Sequence, residues 1–116
     1  MIRKTTVLLA SFLLFSGAMA KPRLIVLTDI TNEPDEEQTK ERLLSYANEF
    51  DIEALIATTS CWLRNRTAPE KIIERIEAYR QVRSNFMAHS DGWPEADTLL
   101  QTVKTGVPIF GMQGVG

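Results

Sequence analysis

Short apolar runs alternate along the chain with stretches whose apolar residues recur every three or four positions, and this alternation predicts the elements. Residues 23–28 (RLIVLT) form a nearly unbroken apolar run, the pattern of a strand buried on both faces. Asp29 follows at once, then the polar stretch Thr31-Asn32-Glu33-Pro34. Pro34 suits the first turn of a helix, with Asn32 or Glu33 as its cap, and Asp35, Glu36 and Glu37 favour the positive end of the helix dipole. That helix is expected to reach about Asn48 and to bury Leu43, Leu44, Ala47 and Phe50. Residues 52–59 (IEALIATT), rich in β-branched side chains, predict a second strand.

Thr67-Ala68-Pro69-Glu70 has the spacing of a capping box, with Thr67 as cap and Glu70 reaching back. Ile72, Ile73, Ile76 and Tyr79 then recur at helical spacing and predict a helix to about Val82. After the loop Ser84–Pro94, Glu95–Lys104 predicts a third helix stopped by Gly106, and Val107–Phe110 a third strand. Gly111, Gly114 and Gly116 lack the spacing of a dinucleotide loop and predict a turn. The order strand, helix, strand, helix, helix, strand is that of an α/β fold, a parallel sheet with flanking helices. Such sheets are covered on both faces, and three strands with three helices make less than a typical doubly wound domain. Residues 21–116 therefore read as the N-terminal part of a longer domain, incomplete in this chain.

The first twenty residues follow a different pattern. Arg3 and Lys4 precede the apolar run Val7–Phe15, and Ala18-Met19-Ala20 supplies small residues for cleavage, the three parts of a secretory signal peptide over residues 1–20. A membrane span needs roughly 20 apolar residues, and Lys21-Pro22-Arg23 closes this run early. Cleavage after Ala20, a secreted or periplasmic location and no stable membrane insertion are expected.

Losing Arg3 and Lys4 takes the formal charge from −2 to −4. A mildly acidic chain with no Lys/Arg block has no footprint for nucleic acid. A hydrophobic fraction of 44% with 24% charged residues excludes general disorder. Cys61 is the one cysteine, which excludes an internal disulfide and a cysteine metal cluster and suits a small buried hydrophobe. His89-Ser90-Asp91 holds the letters of a triad, but neighbouring residues cannot take its geometry.

Candidate chemistry gathers where five carboxylates fall between Asp29 and Glu37, directly after a strand. Ligands of parallel α/β sheets bind outside the carboxyl ends of strands, which is where Asp29 stands. Asp29 at the strand end and Asp35 and Glu36 on the first helical turn can converge. Clustered carboxylates repel unless a cation or shared protons compensate, and hard oxygen ligands favour Ca²⁺ or Mg²⁺. An acidic helix start in solvent is the alternative. The second strand leads into Thr58-Thr59-Ser60-Cys61-Trp62-Leu63-Arg64-Asn65, again at a carboxyl edge. Trp62 and Trp93 can stack on sugar rings or pack against the helix layer. Asn65-Arg66-Thr67 matches a glycosylation sequon.

KPRLIVLTDITNEPDEEQ, IEALIATTSCWLRN and the closing GMQGVG together resemble the secreted cellulose-binding, nucleoside-hydrolase-like family, from Lys21 to Gly116. The first segment is also similar to the N-terminal aspartate motif of the nucleoside hydrolases. The resemblance implies a Rossmann-like fold and hydrolysis of an N- or O-glycosidic bond with a Ca²⁺-bound water. It equally accommodates a carbohydrate-binding protein that keeps the fold without catalysis. Asp29 matches the aspartate that ligates Ca²⁺ and activates water; Asp35 and Glu36 match the following pair, which contacts the sugar and completes the metal shell. Asn65 is the implied sugar contact, beside Trp62 as a candidate stacking ring, and the implied partner is a glycoside or polysaccharide. The chain departs from the pattern in three ways: a gap from Asp29 to Asp35 longer by two residues, Glu36 where Asp is expected, and Thr31 where Gly is expected.

Overall fold

The computed structural model describes residues 19–31 and 34–115; residues 1–18 of the expected signal peptide, the expected caps Asn32 and Glu33, and Gly116 lie outside them. Strands β1 (Arg23–Thr28), β2 (Asp51–Ala57) and β3 (Val103–Thr105) form a parallel sheet in the order β1-β2-β3. Helices α1 (Pro34–Leu44), α2 (Pro69–Met87) and α3 (Ala96–Thr102) complete the expected α/β pattern.

Register decides what is buried. Val26 pairs with Leu55, and Leu55 with Val103, so these three line up on one face of the sheet. There they meet Leu44, Ile72, Ile76 and Leu99 in a single core. Alternation sends neighbouring side chains to the opposite face, where Ile25 and Leu27 stay 60% and 65% exposed. The expectation of a β1 buried on both faces is thus corrected: among the described residues, helices cover only the face that carries Val26. Between Leu24 and Ile25 the register slips past Glu53. This bulge leaves Glu53 at the rim, where it accepts a hydrogen bond from Arg23 at 2.7 Å.

Several element ends differ from expectation, each through a contact distant in sequence or a competing local bond. α1 stops at Leu44 rather than near Asn48: the Ser45 hydroxyl donates to the Arg42 carbonyl at 2.7 Å, and the chain tightens into a 3₁₀ turn at Ala47–Glu49. The capping box does not form. Ala68 occupies the cap position of α2 without a side-chain bond, the Thr67 hydroxyl pairs instead with that of Thr105 in β3, and Glu70 faces Arg66 at 3.7 Å. The third helix ends at Thr102, whose hydroxyl donates to the Leu99 carbonyl at 2.6 Å. The third strand is Val103–Thr105, with Val107–Phe110 outside it, because Val103 is the residue that reaches the core beside Leu55.

Thr31 takes φ +129°, a conformation that glycine adopts freely and a β-branched residue does not. Such strain costs about 1–3 kcal/mol, partly offset by the entropy that Gly adds to the unfolded chain. Thr31→Gly is expected to stabilise the protein by about 1 kcal/mol, and urea denaturation with an unchanged slope would read it out.

Candidate functional site

The site is built on the end of β1. Thr28 is buried, its hydroxyl accepts a hydrogen bond from the Ile30 amide at 3.2 Å, and Ile30 is fully buried. Two buried neighbours therefore anchor half-buried Asp29 at the carboxyl edge. In the first turn of α1, Glu36 is also half-buried, and its carboxyl hydrogen-bonds Asp29. Two ionised carboxylates cannot share that contact. Burial, followed by the bond to Asp29 and its charge, pushes the Glu36 carboxyl up to about 7, so the pair shares a proton near neutrality. Lys40, one turn further along α1, opposes that rise, while burial pulls its own ammonium below the ordinary lysine range. One oxygen of Glu36, Oε2, is buried without a hydrogen-bond partner.

The other acidic residues divide differently. Asp35 is exposed, and its backbone carbonyl accepts from the Thr39 hydroxyl at 2.8 Å. Glu37 belongs to the fold, because Arg75 of α2 bridges it at 3.4 Å and Glu41 at 2.9 Å. Among the described residues no three His, Cys, Asp or Glu side chains stand together as a metal-holding group. The pair Asp29–Glu36, with its orphaned oxygen, fits a hard cation as two of the three expected carboxylates; Asp35 stands apart. Lys40, whose signal in the sequence is only its place four residues after Glu36, was not among the expected site residues.

A raised carboxyl has a definite consequence for stability. In the unfolded chain Glu36 ionises near 4.5, whereas in the fold it stays neutral to about 7. The fold therefore holds its full stability below about 4.5 and loses part of it as the pH rises through 7. The shift is worth at most about 3 kcal/mol, and solvent access to this half-exposed edge reduces it to about 1–2 kcal/mol. Glu36→Gln is expected to raise the stability by that amount at pH 8 and to leave it unchanged at pH 4. Thermal melts of both forms at the two pH values check it.

The loop after β2 leaves the sheet beside Asp29, since the Thr58 amide donates to the Thr28 carbonyl at 2.8 Å. The Ser60 hydroxyl accepts from the amides of Trp62 (3.2 Å) and Leu63 (3.1 Å), and Leu63 is buried. This tight turn holds Trp62 76% exposed and leaves Asn65 in solvent at the wall of a groove. Trp93 has the opposite fate. It is buried and stacked on Phe86 with ring centroids 4.6 Å apart, and its indole N–H donates to the Ser90 hydroxyl at 3.1 Å, so it is a core residue and not a sugar platform. Cys61 is exposed rather than buried, because the same turn spends its buried position on Leu63.

Comparison with known proteins adds to this geometry. The profile of the cellulose-binding Sde182, nucleoside hydrolase-like domain matches residues 23–116. A solved structure of a nucleoside hydrolase-related protein from Saccharophagus degradans, associated with carbohydrate metabolism, superposes with a TM-score of 0.71 at 35% identity. The match covers 81% of this chain and 23% of that one, so this chain spans less than a quarter of its length. No curated protein matches.

Proposed function

Because the chain belongs to the family of cellulose-binding Sde182, nucleoside hydrolase-like domains, we propose that it binds a glycoside or polysaccharide at the carboxyl edge of its sheet and hydrolyses a glycosidic bond there. The observation that carries this reading is the proton-sharing pair Asp29–Glu36 at the end of β1. Carboxyl groups held at different protonation states by their surroundings are the usual means of glycoside hydrolysis. Asp29 takes a proton from the attacking water as the water oxygen bonds the anomeric carbon, neutral Glu36 holds Asp29 in place by a hydrogen bond, and the glycosidic bond breaks with the leaving group taking its proton from solvent. Asp35 and Asn65 hold sugar hydroxyls, and exposed Trp62 offers a ring for the apolar face of a sugar. A Ca²⁺ ion would be held by Asp29 and Glu36 in place of the proton they share, and would supply Lewis acidity toward water and sugar oxygens. The leader directs the protein to the periplasm or the medium.

Binding without catalysis is the second reading. Lys40 favours it, because an ammonium beside the pair supplies the positive charge that a metal would otherwise bring. Purified full chain, assayed for release of reducing ends from cellulose and cello-oligosaccharides and of base from nucleosides, with Ca²⁺ and with EDTA, separates the two. The hydrolytic reading expects turnover that EDTA lowers and calorimetric Ca²⁺ binding. Retention on cellulose with neither turnover nor Ca²⁺ binding overturns it in favour of the binder.

A further inference from the structure

On the same side of the sheet, the loop that follows β3 closes against the loop that follows β2. The Phe110 amide donates to the Arg64 carbonyl at 3.0 Å, and the Thr59 hydroxyl donates to the Ile109 carbonyl at 3.4 Å. Gly114 completes the closure: a Cβ there would stand 2.6 Å from the Ile109 carbonyl oxygen, so only glycine fits. Between the two loops lies a groove of about 570 Å³, lined by Arg64, Asn65, Ile109, Phe110, Met112 and Gln113 among others. This volume is within the range of about 300–1,000 Å³ found for small-ligand sites.

The lining has the chemistry of a sugar site. Arg64 is braced twice, by its Nε–H donating to the Cys61 carbonyl at 2.8 Å and by its guanidinium lying 5.5 Å from the Phe110 ring centroid. Its two terminal nitrogens have no partner among the described residues. The amides of Asn65 and Gln113 each offer both a donor and an acceptor, the combination that vicinal hydroxyls require. Phe110 keeps 38% of its surface exposed, and Met112 83%, which gives an apolar floor for the axial C–H face of a pyranose. Among the described residues no carboxylate lines the groove, and Asn65 joins it to the carboxyl edge where Asp29 stands.

We propose that this groove is a saccharide subsite that takes a short β-linked glucan segment, with Phe110 as stacking surface and Arg64, Asn65 and Gln113 as hydroxyl-binding groups. The inference rests on the carbohydrate-binding reading above and extends the sugar contact that it gives Asn65 along the groove. Bracing between the loops before any ligand arrives reduces the ordering cost of binding.

The test is calorimetric titration of the full chain with cellohexaose, with inosine as the competing ligand class. Phe110→Ala is expected to weaken cellohexaose binding at least tenfold. Gln113→Ala, at an exposed position that leaves the fold intact, is expected to weaken it about threefold. Arg64→Lys keeps the charge but loses the fork, and is also expected to weaken it. Wild-type binding with unchanged affinity in all three variants overturns the subsite while leaving carbohydrate binding elsewhere on the chain. A wild-type chain that binds inosine but not cellohexaose overturns the glucan assignment, and one that binds no saccharide at all overturns the broader reading as well.

Discussion

Replacing Asp29 by Asn is expected to lower glycoside turnover by about 10²–10⁴-fold, the range that a positioned general base contributes, with retention on cellulose preserved. Asn conserves size and keeps a hydrogen-bonding partner for Glu36, but cannot take a proton. The loss should fall on kcat, since the proton moves only in the transition state. The variant also removes the anion that helps hold Glu36 protonated, so the pH profile of any residual activity should move toward lower pH. Turnover equal to wild type would exclude Asp29 as the base. Absence of turnover in both forms, with cellulose retained, would leave the protein as a binder.

Ile76→Ala is expected to destabilise the fold by about 2–5 kcal/mol, because the side chain is fully buried between α2 and the sheet. Domains of this size are stable by only about 5–15 kcal/mol, so the melting temperature should fall by ten degrees or more. Ile76 already lines a void of about 10 Å³ shared with Thr28, Lys40 and Leu55, and shortening it enlarges that void beneath the site. Ile73, three residues earlier on the same helix, is 41% exposed, and Ile73→Ala is expected to cost less than about 1 kcal/mol. Equal losses for the two variants in denaturant unfolding would contradict the packing described for α2.

That contrast between Ile73 and Ile76 marks where local pattern stops. Periodicity groups both isoleucines into one apolar stripe, but the direction from which the sheet approaches separates them. The same holds for the aromatic residues. Trp62 and Trp93 are equivalent as letters, yet a Ser60-centred turn exposes one, while Phe86 and Ser90 enclose the other. Glu36 reads in the sequence as one more acid in a favourable helix start; only the neighbourhood of Asp29, together with burial, makes it a proton-holding group.

The sequence by itself determined β1 at Arg23–Thr28, the order of the elements and Asp29 at a strand's carboxyl end, because apolar periodicity and proline placement act within a few residues. Its motifs, read together, also determined the family. Tertiary structure alone decided that Thr67 bonds Thr105 instead of capping α2, that Val103 begins the third strand, and that the loops after β2 and β3 close into a groove. Each of these depends on groups brought together from tens of residues apart, where burial and hydrogen bonding outweigh the local preferences that the chain order displays.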